Sequence, residues 1–168
     1  MSINYLFIGF IILLSCGVKK APLPPVEDYL RIKRIGEYVY IISDEDIKVE
    51  GFVFHKGVWY KKEKRSFCFN ISKDKEHRNI CVKEAIKIKP FINLIDMEDR
   101  VEIVLSGFSK YYIYPYRRGW LYVKFGNPIK GNTIFLKKYE KKKCYAITGV
   151  VGDRESEPVV FCTEAYKP

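Results

Sequence analysis

An internal repeat of strand patterns is the feature that most constrains this 168-residue chain. Residues 30–43 and residues 92–106 each contain an alternating apolar stretch, a polar turn and a second alternating stretch. Residues 51–55 and 111–114 then provide another pair of alternating aromatic segments. Alternation every two residues is typical of half-buried strands. The repeat therefore predicts two small β-domains of similar architecture.

Four of the five cysteines lie at matching positions of this repeat. Cys68 and Cys144 each begin an apolar strand, and each strand is followed, after a polar loop, by a second strand with one cysteine, Cys81 or Cys162. Facing side chains of paired strands lie about 4.5–5.5 Å apart, within reach of a disulfide. We predict the pairs Cys68–Cys81 and Cys144–Cys162, each contributing about 3 kcal/mol in the chain-entropy model. The alternative is four reduced cysteines that act as small buried hydrophobic side chains.

Composition supports the same fold class. Aromatic residues make up 15% of the chain, and Tyr, Phe, Ile and Val outweigh Ala among the apolar residues. Aromatic and β-branched side chains favour pleated strands over helices. We expect an all-β protein.

The amino-terminal residues have the form of an export signal. Residues 5–14 are a continuous apolar run, shorter than the roughly 20 residues that a membrane-spanning helix needs. The run ends in Leu13-Leu14-Ser15-Cys16-Gly17, which resembles the lipobox of bacterial lipoproteins. The resemblance implies that residues 1–15 are removed and that Cys16 carries acyl chains, of which two or three give stable anchorage. The alternative is a buried amino-terminal strand or helix with an incidental cysteine.

Residues 16–25 predict a tether between this anchor and the folded domains. Their prolines favour an extended spacer, and they show no apolar periodicity. The order Cys-Gly-x-Lys-Lys-x-Pro-Leu-Pro-Pro resembles the start of many small Gram-negative lipoproteins. Gly17 after the cysteine implies, by that resemblance, the outer membrane with the domains in the periplasm. Disulfides require such an oxidising compartment.

A second resemblance concerns the domains themselves. Cys144-Tyr145-Ala146-Ile147-Thr148 runs through a polar loop into Ser156-Glu157-Pro158, and this order resembles the last two strands of fibronectin type III domains. The resemblance implies two tandem immunoglobulin-like β-sandwiches, the first over residues 26–88 and the second over residues 89–168. The tryptophan that this family carries in its second strand is absent from both repeats.

The sequence contains no motif that predicts catalysis. It has no Gly-x-Ser-x-Gly elbow, no Gly-rich phosphate loop and no His-Glu-x-x-His pair. The acidic runs at residues 44–46 and 96–99 could ligate calcium, but Asp is common in turns for backbone reasons. His55 and His77 lack the spacing of metal ligands. We expect a protein that is not an enzyme and that has neither a cofactor nor a metal.

A binding patch is predicted just after Pro115, where Tyr116, Arg117, Arg118 and Trp120 combine aromatic rings with cations. Such combinations stack on sugars, lipids or partner side chains.

The formal net charge of +10 favours anionic polymers or membrane faces as partners. Its lysines are scattered along alternating positions, which argues against a nucleic-acid groove. The expected function is a structural or interaction module that contacts envelope proteins or an anionic polymer, and the alternative is a carbohydrate or peptidoglycan ligand.

Overall fold

A computed structural model describes residues 30–165, and these residues form strands and connecting turns without a helix. The prediction of an all-β protein is therefore confirmed. The strands, in chain order, are β1 Leu30–Ile35, β2 Tyr38–Ser43, β3 Lys48–Val49, β4 Val53–His55, β5 Val58–Lys62, β6 Phe67–Lys73, β7 Glu76–Val82, β8 Phe91–Asp96, β9 Arg100–Ser106, β10 Lys110–Arg117, β11 Trp120–Leu121, β12 Ile129–Lys130, β13 Thr133–Lys137, β14 Lys143–Val151, β15 Arg154–Glu155 and β16 Val159–Thr163.

The first half, β1 to β7, is a sandwich of two layers. The strands β1-β2-β5-β4 form one layer and β3-β6-β7 form the other. This is the strand order of a constant-type immunoglobulin domain, with four strands opposite three. The side chains that alternate inward from the two layers form its core, which comprises Val39, Ile41, Ile47, Val49, Phe52, Phe69 and Ile71.

The second half, β8 to β16, is also a sandwich but distributes its strands differently. The three strands β8-β9-β13 lie opposite the layer β10-β14-β16, and the short strands β11 and β12 both pair with β10 in that layer. The core between these layers comprises Val101, Ile103, Leu105, Tyr111, Ile147 and Phe161. The predicted division between residues 88 and 89 falls in the connection between β7 and β8.

The two sandwiches share one sheet. Strand β15 pairs with β14 on one side and runs parallel to β1 on the other, which joins the larger layers into a ten-stranded sheet. Side chains on the face of this sheet that points away from both sandwich cores form a third core. Its buried members are Ile35, Tyr40, Tyr114, Leu121, Val123 and Ala146. The halves therefore pack against each other through a common apolar cluster.

We call the region where β15 and the third core connect the two halves the joint. A buried ion pair lies there. The Lys33 ammonium is 2.7 Å from a carboxylate oxygen of Glu155, and Glu155 is only 4% exposed. The hydroxyls of Tyr114 and Thr148 donate hydrogen bonds to the same carboxylate at 2.7 and 2.6 Å. Burial lowers the pKa of Lys33 and the ion pair with Glu155 opposes that shift. Burial and the nearby carboxylate raise the pKa of Tyr114. A charge pair this enclosed is stable only because its hydrogen-bonding groups are satisfied.

Both predicted disulfides are present. Cys68 lies directly opposite Cys81 on β6 and β7, and Cys144 lies directly opposite Cys162 on β14 and β16. The first bond is exposed, whereas both cysteines of the second are half-buried.

Candidate functional site

The hairpin of β10 and β11 presents most of the predicted binding patch. Tyr116 pairs with Leu121, and Arg117 pairs with Trp120, so only two residues form the turn. These are Arg118 and Gly119, both with positive φ, 51° and 76°. A two-residue turn with two positive φ values matches the right-handed twist of the strands. It places Arg117 and Arg118 on the exposed tip of the hairpin.

A surface concavity of about 740 Å³ lies beside this tip, and we call it the basic groove. It is lined by the end of β10, by the start of β14, which pairs with it, and by the segment that precedes β14. Six cationic side chains and three tyrosines contribute to the lining, and no carboxylate does. The residues that line the basic groove are Pro115, Tyr116, Arg117, Arg118, Lys124, Tyr139, Lys141, Lys142, Lys143, Cys144 and Tyr145.

The positive charge of the basic groove is largely uncompensated. Lys142 lies 4.0 Å from Glu164, and Lys143 packs on the ring of Tyr139, with its nitrogen 3.0 Å from the ring centre. Within residues 30–165, none of the other four cations forms an ion pair with a carboxylate; these are Arg117, Arg118, Lys124 and Lys141. Like charges that converge in a concavity reinforce one another and attract anions.

The pKa of Tyr145, one of the tyrosines that line the basic groove, is shifted by its surroundings. Burial raises the pKa of Tyr145, the neighbouring Tyr139 adds to the rise, and the positive charge of Arg117 opposes it. The Tyr145 ring also stacks on Phe161 with ring centres 5.8 Å apart. Tyr145 therefore connects the groove to the core of the second sandwich.

The Trp120 side chain lines a different cavity from the one that Arg117 and Arg118 line. Its ring meets Tyr60 edge to face with centres 4.8 Å apart, and it meets His55 at 4.9 Å and Tyr40 at 6.5 Å. It lines an aromatic cavity of about 400 Å³ between the two sandwiches, which we call the joint cavity. The structure thus divides the predicted patch between two cavities, and Tyr116 lines both.

Several groups that line the basic groove were missed at the level of sequence. They are Lys124, Tyr139, Lys141, Lys142, Lys143 and Tyr145. The signal that could have found most of them is the cationic run over residues 137–143, which contains five lysines. Only the fold shows that this run faces the tip of the β10–β11 hairpin.

Some carboxylates of each acidic run that was considered for calcium form ion pairs with cations. Asp44 accepts two 3.0 Å hydrogen bonds from Arg31, Glu45 pairs with Lys73, and Asp96 lies 2.7 Å from Lys138. In the described part of the chain, no three His, Cys, Asp or Glu side chains cluster as metal ligands would.

The predicted lipidation site, Cys16, lies outside the described residues. Over residues 30–165, no helix has the length and apolar character needed to cross a bilayer.

No protein-family model matches the chain, and no curated protein matches it.

Proposed function

We propose that this protein is a lipid-anchored component of the bacterial cell envelope that binds an anionic polymer in its basic groove. The observation that carries the proposal is the convergence of six cationic side chains and three tyrosines on one concavity without a lining carboxylate. Anchoring at Cys16 would keep this groove close to a membrane surface, where such polymers are concentrated.

The groove suits an extended chain better than a small enclosed ligand. Arg117, Arg118, Lys124, Lys141 and Lys142 are all exposed, so a polymer can contact them without entering the protein. Exposed cations contribute little individually, but several that act on one polyanion attract it strongly and accelerate association. Because exposed charges are screened by salt, we expect binding to weaken steeply as ionic strength rises.

The tyrosines favour a polymer whose charged groups alternate with rings. Tyr116, Tyr139 and Tyr145 line the same concavity as the cations. Aromatic rings bury a large apolar area and retain a hydroxyl for hydrogen bonding. A polysaccharide that bears carboxylate or phosphate groups combines the two chemistries that the groove offers. We do not expect nucleic acid as the partner, because the proposed compartment lies outside the cytoplasm.

A charge-reversal experiment tests the groove. The double variant Arg117→Glu, Lys143→Glu should bind polygalacturonate at least about tenfold more weakly than the wild type, a loss of about 1.4 kcal/mol. The matched control is Lys75→Glu, Lys87→Glu, which lowers the net charge by the same amount at exposed positions of the first half and its exit segment. Equal losses in the two variants would mean that the net charge alone attracts the polymer, and the groove proposal would be wrong.

The anchor requires a separate measurement. The non-reduced intact mass of protein extracted from host membranes should equal a chain that starts at Cys16, with acyl chains added and four hydrogens removed. An uncut chain without lipid would contradict the proposed anchor and location, whatever the result of the polymer experiment.

A further inference from the structure

We propose that the joint cavity is a second binding site, which takes an uncharged, proline-rich peptide segment in the polyproline II conformation. The site is distinct from the basic groove and does not depend on the anionic polymer.

The joint cavity is built by both sandwiches. Tyr38, Tyr40 and Tyr60 come from the first, and Tyr116, Trp120 and Pro158 come from the second. The walls are held in place by the shared sheet and by ring contacts between the halves, including the edge-to-face contact of Tyr60 with Trp120. The site is therefore preformed, which reduces the ordering cost of binding.

Four tyrosines contribute to the lining of the joint cavity. Tyr38, Tyr40, Tyr60 and Tyr116 all line it, and the rings of Tyr38 and Tyr40 have centres 6.1 Å apart. Burial raises the pKa of Tyr40, and the neighbouring Tyr38 and Tyr60 add to that rise. Each hydroxyl can donate a hydrogen bond, and the indole nitrogen of Trp120 can only donate. The cavity thus combines apolar ring faces with a cluster of donors.

The charge of the lining selects the class of ligand. No Lys, Arg, Asp or Glu lines the joint cavity, although the chain as a whole has a net charge of +10. An anionic chain would therefore meet its cations in the basic groove and not here. The partner of the joint cavity should be uncharged over the segment that enters it.

Proline-rich chains complement these walls chemically. A polyproline II helix has no internal hydrogen bonds, and proline has no N–H, so its carbonyls need external donors and its rings need apolar partners. Aromatic-lined grooves with hydroxyl or indole donors meet both needs, at low entropic cost because the helix is already extended. A sugar ring instead presents many hydroxyl donors, and the only side chains of the cavity that can accept from them are its tyrosines, since neither a carboxylate nor an amide side chain lines it.

Calorimetric titration with decaproline tests the proposal, with a ten-residue Gly-Ser peptide as the flexible control. Decaproline should bind the wild type at concentrations up to about 1 mM, a range that covers weak peptide affinities, whereas the Gly-Ser peptide should not. Trp120→Ala should weaken binding roughly tenfold or more, as expected for a central aromatic anchor. Tyr60→Phe and Tyr38→Phe remove only a donor, so each should weaken binding about three- to tenfold.

The control variant is Tyr139→Phe, which removes a hydroxyl from the basic groove and should leave decaproline binding unchanged. Thermal melting of each variant separates a binding loss from unfolding, and the two hydroxyl deletions keep the test decisive if Trp120→Ala does not fold. The proposal would be overturned by absence of decaproline binding, by equal binding of the Gly-Ser peptide, by variants that bind like the wild type, or by chitohexaose binding in place of decaproline.

Discussion

The two sandwiches differ chiefly in where their fourth strand lies. In the first, β4 extends the layer that contains β1 and β2, whereas in the second, the short strands β11 and β12 both extend the opposite layer beside β10. Strand β11 begins with Trp120, and the turn that leads to it contains Arg118. One change of strand position therefore creates the hairpin tip that borders both cavities.

Their outer surfaces differ as well. The outer face of the first sandwich's larger layer is covered by the joint, where Ile35 and Tyr40 are buried. Among residues 30–165, no side chains cover the small layer of the second sandwich in this way, and Phe91 and Phe135 are 73% and 55% exposed. The comparison indicates that the joint buries the outer face of the first half's larger layer, whereas the basic groove is lined by the second half alone.

Removal of the buried Glu155 carboxylate at the joint should have the largest effect on the free energy of unfolding. We expect Glu155→Ala to lower the free energy of unfolding by about 3–5 kcal/mol, because Lys33 would remain buried without its partner. Asp44→Ala breaks the exposed pair with Arg31 and should cost less than about 1 kcal/mol. Urea denaturation of the two variants measures both values, and similar small losses would mean that the joint contributes little.

Matched core truncations test whether the halves unfold together. Ile41→Ala in the first core and Ile103→Ala in the second should each cost about 2–5 kcal/mol, since both side chains are fully buried. If the shared sheet couples the halves, each variant should shift one common thermal transition. Calorimetry that resolves two transitions, with only one moved by each variant, would show that the halves unfold separately.

The disulfides should contribute similarly in the two halves. They close loops with sequence separations of 13 and 18 residues, for which the chain-entropy model gives about 3 kcal/mol each. Paired Cys→Ser replacement at residues 144 and 162 should cost slightly more than at residues 68 and 81, because only the former side chains are half-buried. A loss below about 1 kcal/mol in either half would contradict the chain-entropy model for that half.

The smallest effect that we expect is a change in how the free energy of unfolding depends on alkaline pH. The pKa of Tyr40 is raised in the folded state, so its contribution to stability is present below the unfolded pKa of about 10 and is lost as pH rises above it. Tyr40→Phe should reduce the fall in unfolding free energy above pH 10 by up to about 1.4 kcal/mol per pH unit. Urea titrations at several alkaline pH values measure this slope, and identical slopes for the variant and the wild type would contradict it.

Local patterns predicted the hairpins and disulfides well. The repeat at residues 30–43 and 92–106 corresponds to the hairpins β1–β2 and β8–β9, because alternation is set by burial of one strand face. Both cysteine pairs were found because each lies on two strands that pair directly. Residues 51–55 and 111–114 are similar in sequence pattern, but they occupy different positions in the sheet. Strand β4 is an edge strand, whereas β10 pairs with three other strands.

The joint was not predictable in the same way. Strand β15 comprises only Arg154 and Glu155, which in sequence resemble a polar turn. Its position depends on long-range pairing with β1 and on the partners of the Glu155 carboxylate. The tyrosines of β2, β5 and β10 likewise fit any alternating strand, so their convergence on one cavity follows only from the folded sheet.

Backbone amide NMR of the uniformly labelled protein, titrated with polygalacturonate, tests the central claim most directly. Our account predicts chemical-shift changes confined to residues 116–118, to Lys124 and to residues 139–145, and these changes should disappear at high salt. Changes spread over the lysines of both sandwiches, or concentrated in residues 30–82, would contradict the assignment of polymer binding to the basic groove.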